Sequence, residues 1–419
     1  MIHYTFYAAH RYWPREEELN AICVRLAKDL PAAGEFMISW DDRSEPLPWS
    51  DGCLVIVPLS GAVQRMILED AKAFDSVVLY GAYIRGNAPD EIAQGMLRAN
   101  AAPALMDTWA VLRRTHTSAV LALNRSELDS TLRVEAAYRH IRGAKILKIG
   151  ETEPWVISNA SSDAVYEEKL GVHVLPVAQG ELVSLYESTN RDDSRMYYEW
   201  FASHANRTVE PNDDDLWNAS RMACALVSLL DETDAAGATV ACFNLLKTGT
   251  NLCLGASFVN DQTGRFFSCE GDMDSAVTML LMQKMTKGKL WMANPGLQPD
   301  QTINFSHCTA PIRIMNTPLP VALRSHHESG IGVSLQVDVP LNTTVTACRV
   351  SDECQHMTIH RGVTVEGPYE QACRTQVHVK LEDFNHYIRS VLGCHQVFAF
   401  EDVSKEMEQI AKRLSLQLL

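Results

Sequence analysis

The chain has 419 residues, of which 46% are apolar and 21% are charged; this composition is typical of globular proteins, and the length exceeds what one ordinary hydrophobic core organises. Its 37 basic and 52 acidic residues give a formal charge of −15, and no block of Lys or Arg interrupts that excess. Nucleic acids and anionic membrane surfaces are therefore excluded as expected partners, because affinity for either begins with the neutralisation of phosphate.

The apolar runs and the thiols indicate a soluble cytoplasmic protein. The longest apolar stretches, such as CLVIVPL (53–59), are far shorter than the roughly 20 residues of a membrane-spanning helix. The first residues do not show a basic region followed by an apolar core, so we expect no secretory signal. The 11 cysteines lack paired spacings and contain no CxxC, which favours reduced thiols over a disulfide scaffold or a thiolate zinc site.

The first 122 residues alternate continuous apolar runs with amphipathic helical patterns. The predicted strands are MIHYTFYAA (1–9), CLVIVPL (53–59) and SVVLYGAYI (76–84), and the predicted helices lie near 16–29, near 61–74 and within 88–114. Continuous apolar strands separated by helices are typical of parallel strands that are buried on both faces. Residues 1–122 are therefore predicted to form a doubly wound α/β domain of the Rossmann-like or flavodoxin-like type.

The same pattern begins again after residue 122. The predicted strands are AKILKIG (144–150), GVHVLPV (171–177), ATVACFNLL (238–246) and RFFSCE (265–270), and long helical patterns cover 134–143, 216–233 and 274–288. Residues 123–299 are therefore predicted to form a second doubly wound α/β domain.

The pattern changes from about residue 300. Segments such as GVSLQVDVP and TTVTACRV alternate apolar with polar residues and are rich in Thr and Val, as half-buried antiparallel strands are. Residues 300–419 are therefore predicted to form a mostly β domain that ends in an amphipathic helix, EDVSKEMEQIAKRLSLQLL.

A cluster of carboxylates in SCEGDMDSA (268–276) lies between a predicted strand and a predicted helix. Asp272 or Asp274 can cap that helix, and caps of this kind contribute ~1 kcal/mol. Glu270 differs, because it closes the strand at the edge where open α/β sheets bind ligands. It is therefore the candidate for a functional carboxylate.

Two histidines can serve as partners of Glu270. His307 ends the apolar strand of INFSHCTAP, and His395 lies in SVLGCHQVFAF. Either of them alone can be a satisfied core histidine. Together with a strand-end Glu they supply the O, N, N donors that Mn²⁺, Fe²⁺, Co²⁺ or Zn²⁺ accepts.

Several segments of the chain resemble the L-fucose isomerase and L-arabinose isomerase superfamily, particularly its shorter members. They are TGTNLCLGASFVNDQTGRFFSCEGDMDSAVTMLLMQKMTKGKLWMANPG, INFSHCTAPI, KIGETEPWVISN (148–159) and HHESGIGVS (326–334). The resemblance implies two α/β domains followed by a β-barrel-like domain. It also implies a homo-oligomer, a trimer or a hexamer, with sites near the subunit interfaces.

Carried over residue by residue, the resemblance assigns metal-binding roles to Glu270, His307 and His395. The remaining metal ligand, which is also the second catalytic carboxylate of those isomerases, falls on Asn294 in WMANPG. An amide can coordinate a metal through its carbonyl oxygen, but it carries no charge and takes no proton. Asp272 and Glu328 are the candidates for the missing carboxylate; Asp272 can equally be a helix cap.

Four residues are candidates for contact with a sugar. His326 and His327 can hydrogen-bond sugar hydroxyls and Glu328 lies beside them, although HHESG can also be a solvated turn. Trp155 can stack on a sugar ring, or it can fill a core. A charge for an acidic substrate can come from Arg265, Arg313 or Arg324, and surface salt links are the alternative use of these residues.

Other polar groups near these positions are predicted to be structural. The thiols of Cys269, Cys308 and Cys394 each neighbour a proposed ligand, and strand alternation turns them away into cores. The turn Lys247–Asn251 follows a strand without P-loop spacing, and is expected to be structural.

These observations lead to one hypothesis and two alternatives. The hypothesis is a cytoplasmic, metal-dependent aldose–ketose isomerase that acts on a pentose, deoxyhexose or related sugar through an ene-diol, with Mn²⁺ as the expected ion and Glu270 and Asp272 as its candidate proton carriers. Two carboxylates on opposite sides of the ene-diol are the natural arrangement for this chemistry. The alternatives are a sugar-binding or regulatory protein without activity, and an epimerase for a modified sugar.

Overall fold

The computed structural model describes residues 1–13, 15–30, 35–81, 95, 97–159 and 161–419. The chain divides into two compact units, Met1–Glu135 and Ala136–Leu419. The predicted division into three domains, with boundaries after residues 122 and 299, stays a prediction.

A parallel sheet of five strands forms the centre of the first unit, in the order β2-β1-β3-β4-β5. The strands are β1 (Ile2–Ala8), β2 (Glu35–Trp40), β3 (Cys53–Pro58), β4 (Ser76–Tyr80) and β5 (Ala119–Ala122). The continuous apolar runs of β1, β3 and β4 are almost fully buried, which confirms the prediction of parallel, doubly covered strands. The prediction missed β2, an edge strand on which Phe36 is exposed.

The helices of the first unit bury apolar side chains against this sheet in one core. They are α1 (Glu16–Asp29), α2 (Gln64–Ala71), a π-helical turn (Leu97–Ala101) and α3 (Ala102–Thr115), followed by α4 (Arg125–Ile141), which extends past the unit boundary. The last residues of the predicted strand 76–84 and the first part of the predicted helix 88–114 lie outside the described residues.

A second parallel sheet, in the order β10-β9-β6-β7, organises the first half of the second unit. Its strands are β6 (Lys145–Ile149), β7 (His173–Val177), β9 (Gly237–Val240) and β10 (Phe266–Cys269). Because all of them run in the same direction, their carboxyl ends meet at one edge. Gly237 is required by packing, since a Cβ there would lie 2.5 Å from the Phe266 ring.

Five helices and a 3₁₀ turn (Phe243–Thr248) connect the described strands of this sheet, and a sixth helix follows its last strand. The helices are α5 (Asp163–Leu170), α6 (Gln179–Ser188), α7 (Arg191–His204), α8 (Asp213–Thr233), α9 (Cys253–Gln262) and α10 (Met273–Met282). Helix α10 begins three residues after Glu270, so it starts at the same edge where the strands end.

A closed antiparallel barrel of six strands follows, with neighbours in the order β15-β18-β11-β12-β17-β16 and a closing pair β15–β16. The strands are β11 (Trp291–Leu297), β12 (Ile303–His307), β15 (Thr344–Ser351), β16 (His356–Val365), β17 (Thr375–Leu381) and β18 (Gln396–Ala399). The alternating segments were predicted to be antiparallel strands, and the barrel confirms this. Closure leaves none of these six strands at an open edge.

Short elements complete the second unit. They are the sheet β14-β13-β8, formed by Ser334–Val337, Val321–Arg324 and Arg207–Thr208, the helices α11 (Phe384–Arg389) and α12 (Ser404–Arg413), and β19 (Gln417–Leu418) beside β16. Helix α12 confirms the predicted amphipathic terminal helix. Across the described residues, none of the helices has the length and apolar character that crossing a membrane requires.

Candidate metal centre

Glu270 projects from a strained turn at the carboxyl end of β10. Its φ is +63°, in the left-handed region that residues other than glycine seldom adopt, and Gly271 follows with φ +66°. The loop after β6 holds this turn: Glu153 donates its backbone N–H to the Glu270 carbonyl at 2.9 Å, and the Thr152 hydroxyl donates to the Gly271 carbonyl at 2.9 Å. The direction of the Glu270 side chain is therefore set by the contact between two strand ends.

The structure brings Glu270, His307 and His395 together. One potential ligand atom from each residue lies within 4.8 Å of the other two, and all three side chains are buried. Nε2 of His395 is 3.5 Å from Oε1 of Glu270, and the two imidazole centroids are 6.0 Å apart. Bonds to a bound ion measure about 2.0–2.2 Å, so two ligand atoms of one ion lie at most about 4 Å apart, and the cluster needs only small adjustments to bind one.

His395 presents an orphaned nitrogen to this cluster. Its Nδ1 lies 2.8 Å from Oδ2 of Asp272, whereas its buried Nε2 has no hydrogen-bond partner within the part of the chain that the structure describes. The contact of Nε2 with Glu270 has the length of an ion pair and not of a good hydrogen bond. Metal-binding histidines characteristically have one nitrogen held by a carboxylate and the other turned to the ion.

His307 has a similar arrangement with a neutral partner. The hydroxyl of Thr309 lies 3.1 Å from Nδ1 of His307, which leaves Nε2 as the nitrogen for coordination. The donor set is thus one carboxylate and two imidazoles from β10, β12 and the residue before β18. These donors fit a divalent first-row transition metal.

Asp272 is enclosed by partners and plays two structural roles. It caps α10 by accepting the N–H of Ser275 at 3.0 Å, and it orients His395 as described above. Arg349 of β15 donates to its Oδ2 at 2.8 Å, and neither side chain is exposed to solvent. Burial raises the pKa of Asp272, but the charges of Arg349 and His395 outweigh this and hold it well below its usual range. Asp272 therefore stays ionised.

Asp274 also lies inside this network, although it does not cap the helix. It accepts the hydroxyl of Tyr166 at 2.8 Å and that of Ser351 at 2.5 Å, and Arg349 lies 3.6 Å away. Burial raises the pKa of Asp274 to about 6, opposed by Arg349 and helped by the charge of Asp272. The predicted helix cap is thus Asp272, while Asp274 joins α5, α10 and β15.

The electrostatics of the cluster favour a positive charge between the carboxylates. Burial lowers the pKa of His395, but contacts with Asp272 and Glu270 overcome this and raise it to about 10. Burial and the neighbouring His395 lower the pKa of His307 to about 4. Burial raises the pKa of Glu270, and the two histidines and Trp155 bring it below its ordinary value. A proton on His395 supplies the charge that an ion would supply, so the two compete.

Asn294 lies on the face of β11 that packs against the end of β10. Met292, two residues earlier and therefore on the same face, accepts the N–H of Cys269 at 3.4 Å. Asn294 pairs with Ser306 of β12, the residue before His307. Its role as a ligand through the amide oxygen stays a prediction.

An aromatic side chain bounds the cluster. Trp155 donates its indole N–H to Oε2 of Glu270 at 2.7 Å and packs edge-on against Phe243, with centroids 4.8 Å apart. Phe243 in turn meets the ring of His326 at 5.8 Å. Trp155 is 52% exposed, so the alternative interpretation that it fills a core is wrong. Trp155 therefore contacts the cluster directly, and His326 is connected to it through Phe243 and Trp155.

The remaining sugar-contact candidates are in the turn after β13. His326 is buried with Nδ1 2.9 Å from the hydroxyl of Ser329, His327 is half-buried and Glu328 is exposed. Among the contacts of the described residues, neither His327 nor Glu328 touches Glu270, His307 or His395. Their roles stay predictions, and the alternative of a solvated turn suits Glu328.

Two cysteine predictions hold and one is wrong. Cys269 and Cys308 are buried beside their ligand neighbours, whereas Cys394 is exposed, because it lies in the loop before β18 and not within a strand. All 11 cysteines are free, as the spacing predicted. The turn Lys247–Asn251 is structural: the buried amide of Asn251 donates to the carbonyl of Ile331 at 3.1 Å.

Two of the arginines proposed for an acidic substrate have other partners. Arg265 forms an ion pair with Asp231 at 2.5 Å, and Arg324 pairs with Glu210 at 2.7 Å. The guanidinium of Arg324 lowers the pKa of Glu210 to about 2. Arg265 and Arg324 therefore form salt links, which was the alternative use predicted for them.

The sequence did not reveal several residues around the cluster. Glu153 is buried, accepts the N–H of Phe243 at 3.0 Å, and has a pKa raised by burial and by the charge of Glu270 against that hydrogen bond. Arg349 could have been noticed as a charged residue within the alternating strand TTVTACRV. Glu153 could have been noticed only from its position in ETEPW after a strand. No sequence feature distinguishes Phe243 or Thr309.

No protein-family model matches the chain, and no curated protein matches it. The chemistry of the cluster is therefore inferred from the chain's own residues and their geometry.

Proposed function

We propose that the protein is a metal-dependent aldose–ketose isomerase that acts on a pentose, deoxyhexose or related sugar. The observation that carries this proposal is the convergence of Glu270, His307 and His395, whose ligand atoms lie within 4.8 Å of one another. The orphaned Nε2 of His395 supports the presence of an ion, for which Mn²⁺ is our first candidate. The similarity of these segments to the fucose and arabinose isomerases supplies the proposed substrate class.

An ion held by Glu270, His307 and His395 would supply a positive charge that stabilises the negative charge developing as a proton moves between C1 and C2 of the sugar. Asp272 holds His395 in position, and Thr309 does the same for His307. Trp155 donates to Oε2 of Glu270 and fixes the orientation of that carboxylate. Its exposed ring beside the cluster is the surface we assign to sugar stacking.

The second proton carrier of the reaction is not identified by the resemblance, because Asn294 takes no proton. Asp272 does not suit this role, since a carboxylate with no exposure and bonds to Arg349, His395 and Ser275 does not reach a substrate. Glu270 remains the proposed carrier on one side. Glu153, on the loop that clamps Glu270, is one further candidate, and Glu328 is the other.

Because Asn294 stands where the fucose and arabinose isomerases have a carboxylate, two alternative functions stay open. Neither a protein that binds sugar without isomerising it nor an epimerase for a modified sugar needs a second carboxylate of the isomerase type. Metal content separates the silent protein from both enzymes, and the position of exchanged hydrogen separates the two enzymes.

The subtype of the fold, the cellular location and the oligomeric state also stay proposals. The strand order β2-β1-β3-β4-β5 of the first unit is the order of flavodoxin-like sheets and supports that type of doubly wound fold. We further propose a cytoplasmic homo-oligomer, a trimer or a hexamer, with its sites near subunit interfaces.

Two experiments test the function. Elemental analysis after incubation with Mn²⁺ should give about one ion per chain, and Glu270→Ala should lose it. Glu366→Ala, which changes an exposed carboxylate outside the cluster, is the control. Incubation of a panel of aldoses with the metal-loaded protein in D₂O should place deuterium at C2. Absence of exchange with every sugar, in protein that holds its metal, would refute the isomerase.

A further inference from the structure

A groove rich in basic residues runs along the edge of the second parallel sheet that is opposite to Glu270. Two cavities of about 200 and 490 Å³ share Gly264, Arg265 and Gln283 and are therefore continuous. Lys145 and Phe266, the first residues of β6 and β10, line them. The groove thus lies where the strands begin, whereas the metal centre lies where they end.

Positive charge dominates the walls of this groove. Seven basic side chains line the two cavities, against the single acidic residue Asp234. The seven are Arg139, Arg142, Lys145, Arg265, Lys284, Lys287 and Lys289. This concentration is unlike the chain as a whole, which carries a formal charge of −15.

The negative charges of helix ends and of nearby carboxylates do not fully neutralise the basic side chains of the groove. Helices α4, α8 and α10 end here, and each carboxyl terminus carries roughly −0.5 of an elementary charge, about −1.5 together. The nearby carboxylates are Asp231, which pairs with Arg265, Asp234, Glu401, which accepts the N–H of Lys287, and Asp261, whose pKa is raised by burial against the charge of Lys289. Seven positive charges less these contributions leave roughly +1.5.

Local geometry shows that the cations are crowded and that the groove is open. Burial and the nearby ammonium of Lys284 lower the pKa of His140. Nε of Arg139 is buried without a hydrogen-bond partner among the described residues. A Cβ added at Gly143 or Gly264 would meet no atom within 4 Å. Like charges held around an open space repel one another until an anion enters.

We propose that this groove binds a phosphorylated small molecule that carries at least two negative charges. Guanidinium groups bind phosphate through paired N–H donors, and Lys ammonium groups bind it as point charges; both are present here. The net charge of the groove suits a phosphate group, which carries about −1.5 to −2, better than a single carboxylate. The binding site is separate from the metal centre and does not rest on the proposed isomerase activity.

Strand β10 and helix α10 each span the distance between the groove and the metal centre, in opposite chain directions. Strand β10 begins at Phe266 in the groove and ends beside Glu270, and α10 begins after Asp272 and ends before Gln283. At about 3.3 Å per strand residue and 1.5 Å per helix residue, the two sites lie on the order of 15 Å apart along these elements. The ligand in the groove therefore does not occupy the metal site.

The test uses inorganic pyrophosphate as the probe, with the full chain in magnesium-free buffer. Calorimetric titration should show saturable binding, and pyrophosphate should raise the melting temperature where NaCl of equal ionic strength does not. The variant Lys284→Gln/Lys287→Gln removes two exposed ammonium groups and should weaken binding at least about tenfold. Lys169→Gln/Lys405→Gln, which changes two exposed lysines elsewhere in the same unit, should bind within twofold of the natural protein.

Each result decides the proposal. It is overturned if the natural protein shows no saturable binding, if NaCl reproduces the thermal effect, or if the groove variant and the control variant bind equally. Circular dichroism of both variants checks that they are folded. Arg142→Gln, a second exposed change on the groove wall, should also weaken binding, and unchanged affinity in this variant would count against the proposal.

Discussion

Replacing Arg349 by Met would remove the guanidinium that neutralises two buried carboxylates. Arg349 donates to Asp272 at 2.8 Å, to the hydroxyl of Ser275 at 3.0 Å and to the carbonyl of His395 at 3.2 Å. Asp274 lies 3.6 Å from it. Methionine retains much of the side-chain volume but none of these donors.

The expected cost follows from the burial of all three charged groups. The side chains of Arg349, Asp272 and Asp274 are 0% exposed, so water cannot replace the lost partner. Removing one partner of a buried ion pair costs about 3–5 kcal/mol, because a charge is left uncompensated. His395 still faces Asp272, which makes the lower part of this range the better expectation.

The cost should appear locally, in the helix that Asp272 caps. Because the chain has two compact units, hydrogen exchange of α10 amides is a better measure than a single global transition. At 1.4 kcal/mol per factor of ten, exchange of α10 should accelerate by roughly 10²- to 10⁴-fold. Arg361→Met is the matched control: Arg361 is 43% exposed and pairs with Glu382 and Asp402 at 3.3 Å, and such surface pairs contribute about 0–1 kcal/mol.

Equal exchange of α10 in the two variants would refute this reasoning. It would mean that Asp272 and Asp274 are solvated or neutral in the folded protein, and that Arg349 does not hold the position of His395. A second readout is metal affinity, which should fall about 10- to 100-fold in Arg349→Met through loss of support for His395.

Three further predictions concern stability, the turn at Glu270 and the indole beside it. Burial and the neighbouring His386, opposed by Asp383, lower the pKa of His360 to about 4, from an unfolded value of 6.5. As the pH falls, the unfolded chain therefore takes up the proton first. About 3 kcal/mol of stability, present above pH ~6.5, should be lost as the pH falls towards 4. The melting temperature of His360→Gln should lose this pH dependence, while that of the exposed control His173→Gln should keep it. Gly271→Ala would place a Cβ 2.7 Å from Cα of Thr152 and should abolish metal retention in elemental analysis, whereas Gly249→Ala, also at positive φ but without an atom within 4 Å, should retain the metal. Trp155→Phe keeps a ring against Phe243 and loses the hydrogen bond to Glu270, so deuterium exchange should slow by roughly tenfold or more; unchanged exchange would show that the indole N–H does not act on Glu270.

Hydrophobic patterning predicted the types of sheet, but it missed the strands β2 and β5 and the helices α5, α6, α7 and α9. Continuous apolar runs such as CLVIVPL became buried parallel strands, and alternating segments became the antiparallel barrel. The pattern failed at β2, because an edge strand is half-exposed and its six residues carry no clear period. It did not reveal barrel closure, which depends on the pairing of β15 with β16 and not on either strand alone.

The candidate ligands were also visible in the sequence, but the environment of each was not. Glu270 is recognisable because it ends a strand before a helix. The roles of Asp272 were ambiguous, since a helix cap, a metal ligand and a partner of His395 all require the same residue type in the same place. Only the contact with Arg349, 77 residues later in the chain, distinguishes an enclosed positioning carboxylate from one that can meet a substrate.

By itself the sequence determined the classes of secondary structure, the positions of the strand ends and a donor set suited to a transition metal. The tertiary structure decided that Glu270, His307 and His395 share one buried space, that Trp155 is exposed beside them, and that seven basic side chains collect at the opposite edge of the sheet. The physical reason is that periodicity reports which face of a segment is buried. It does not report which distant segment covers that face, and both the metal centre and the basic groove are made by such pairings.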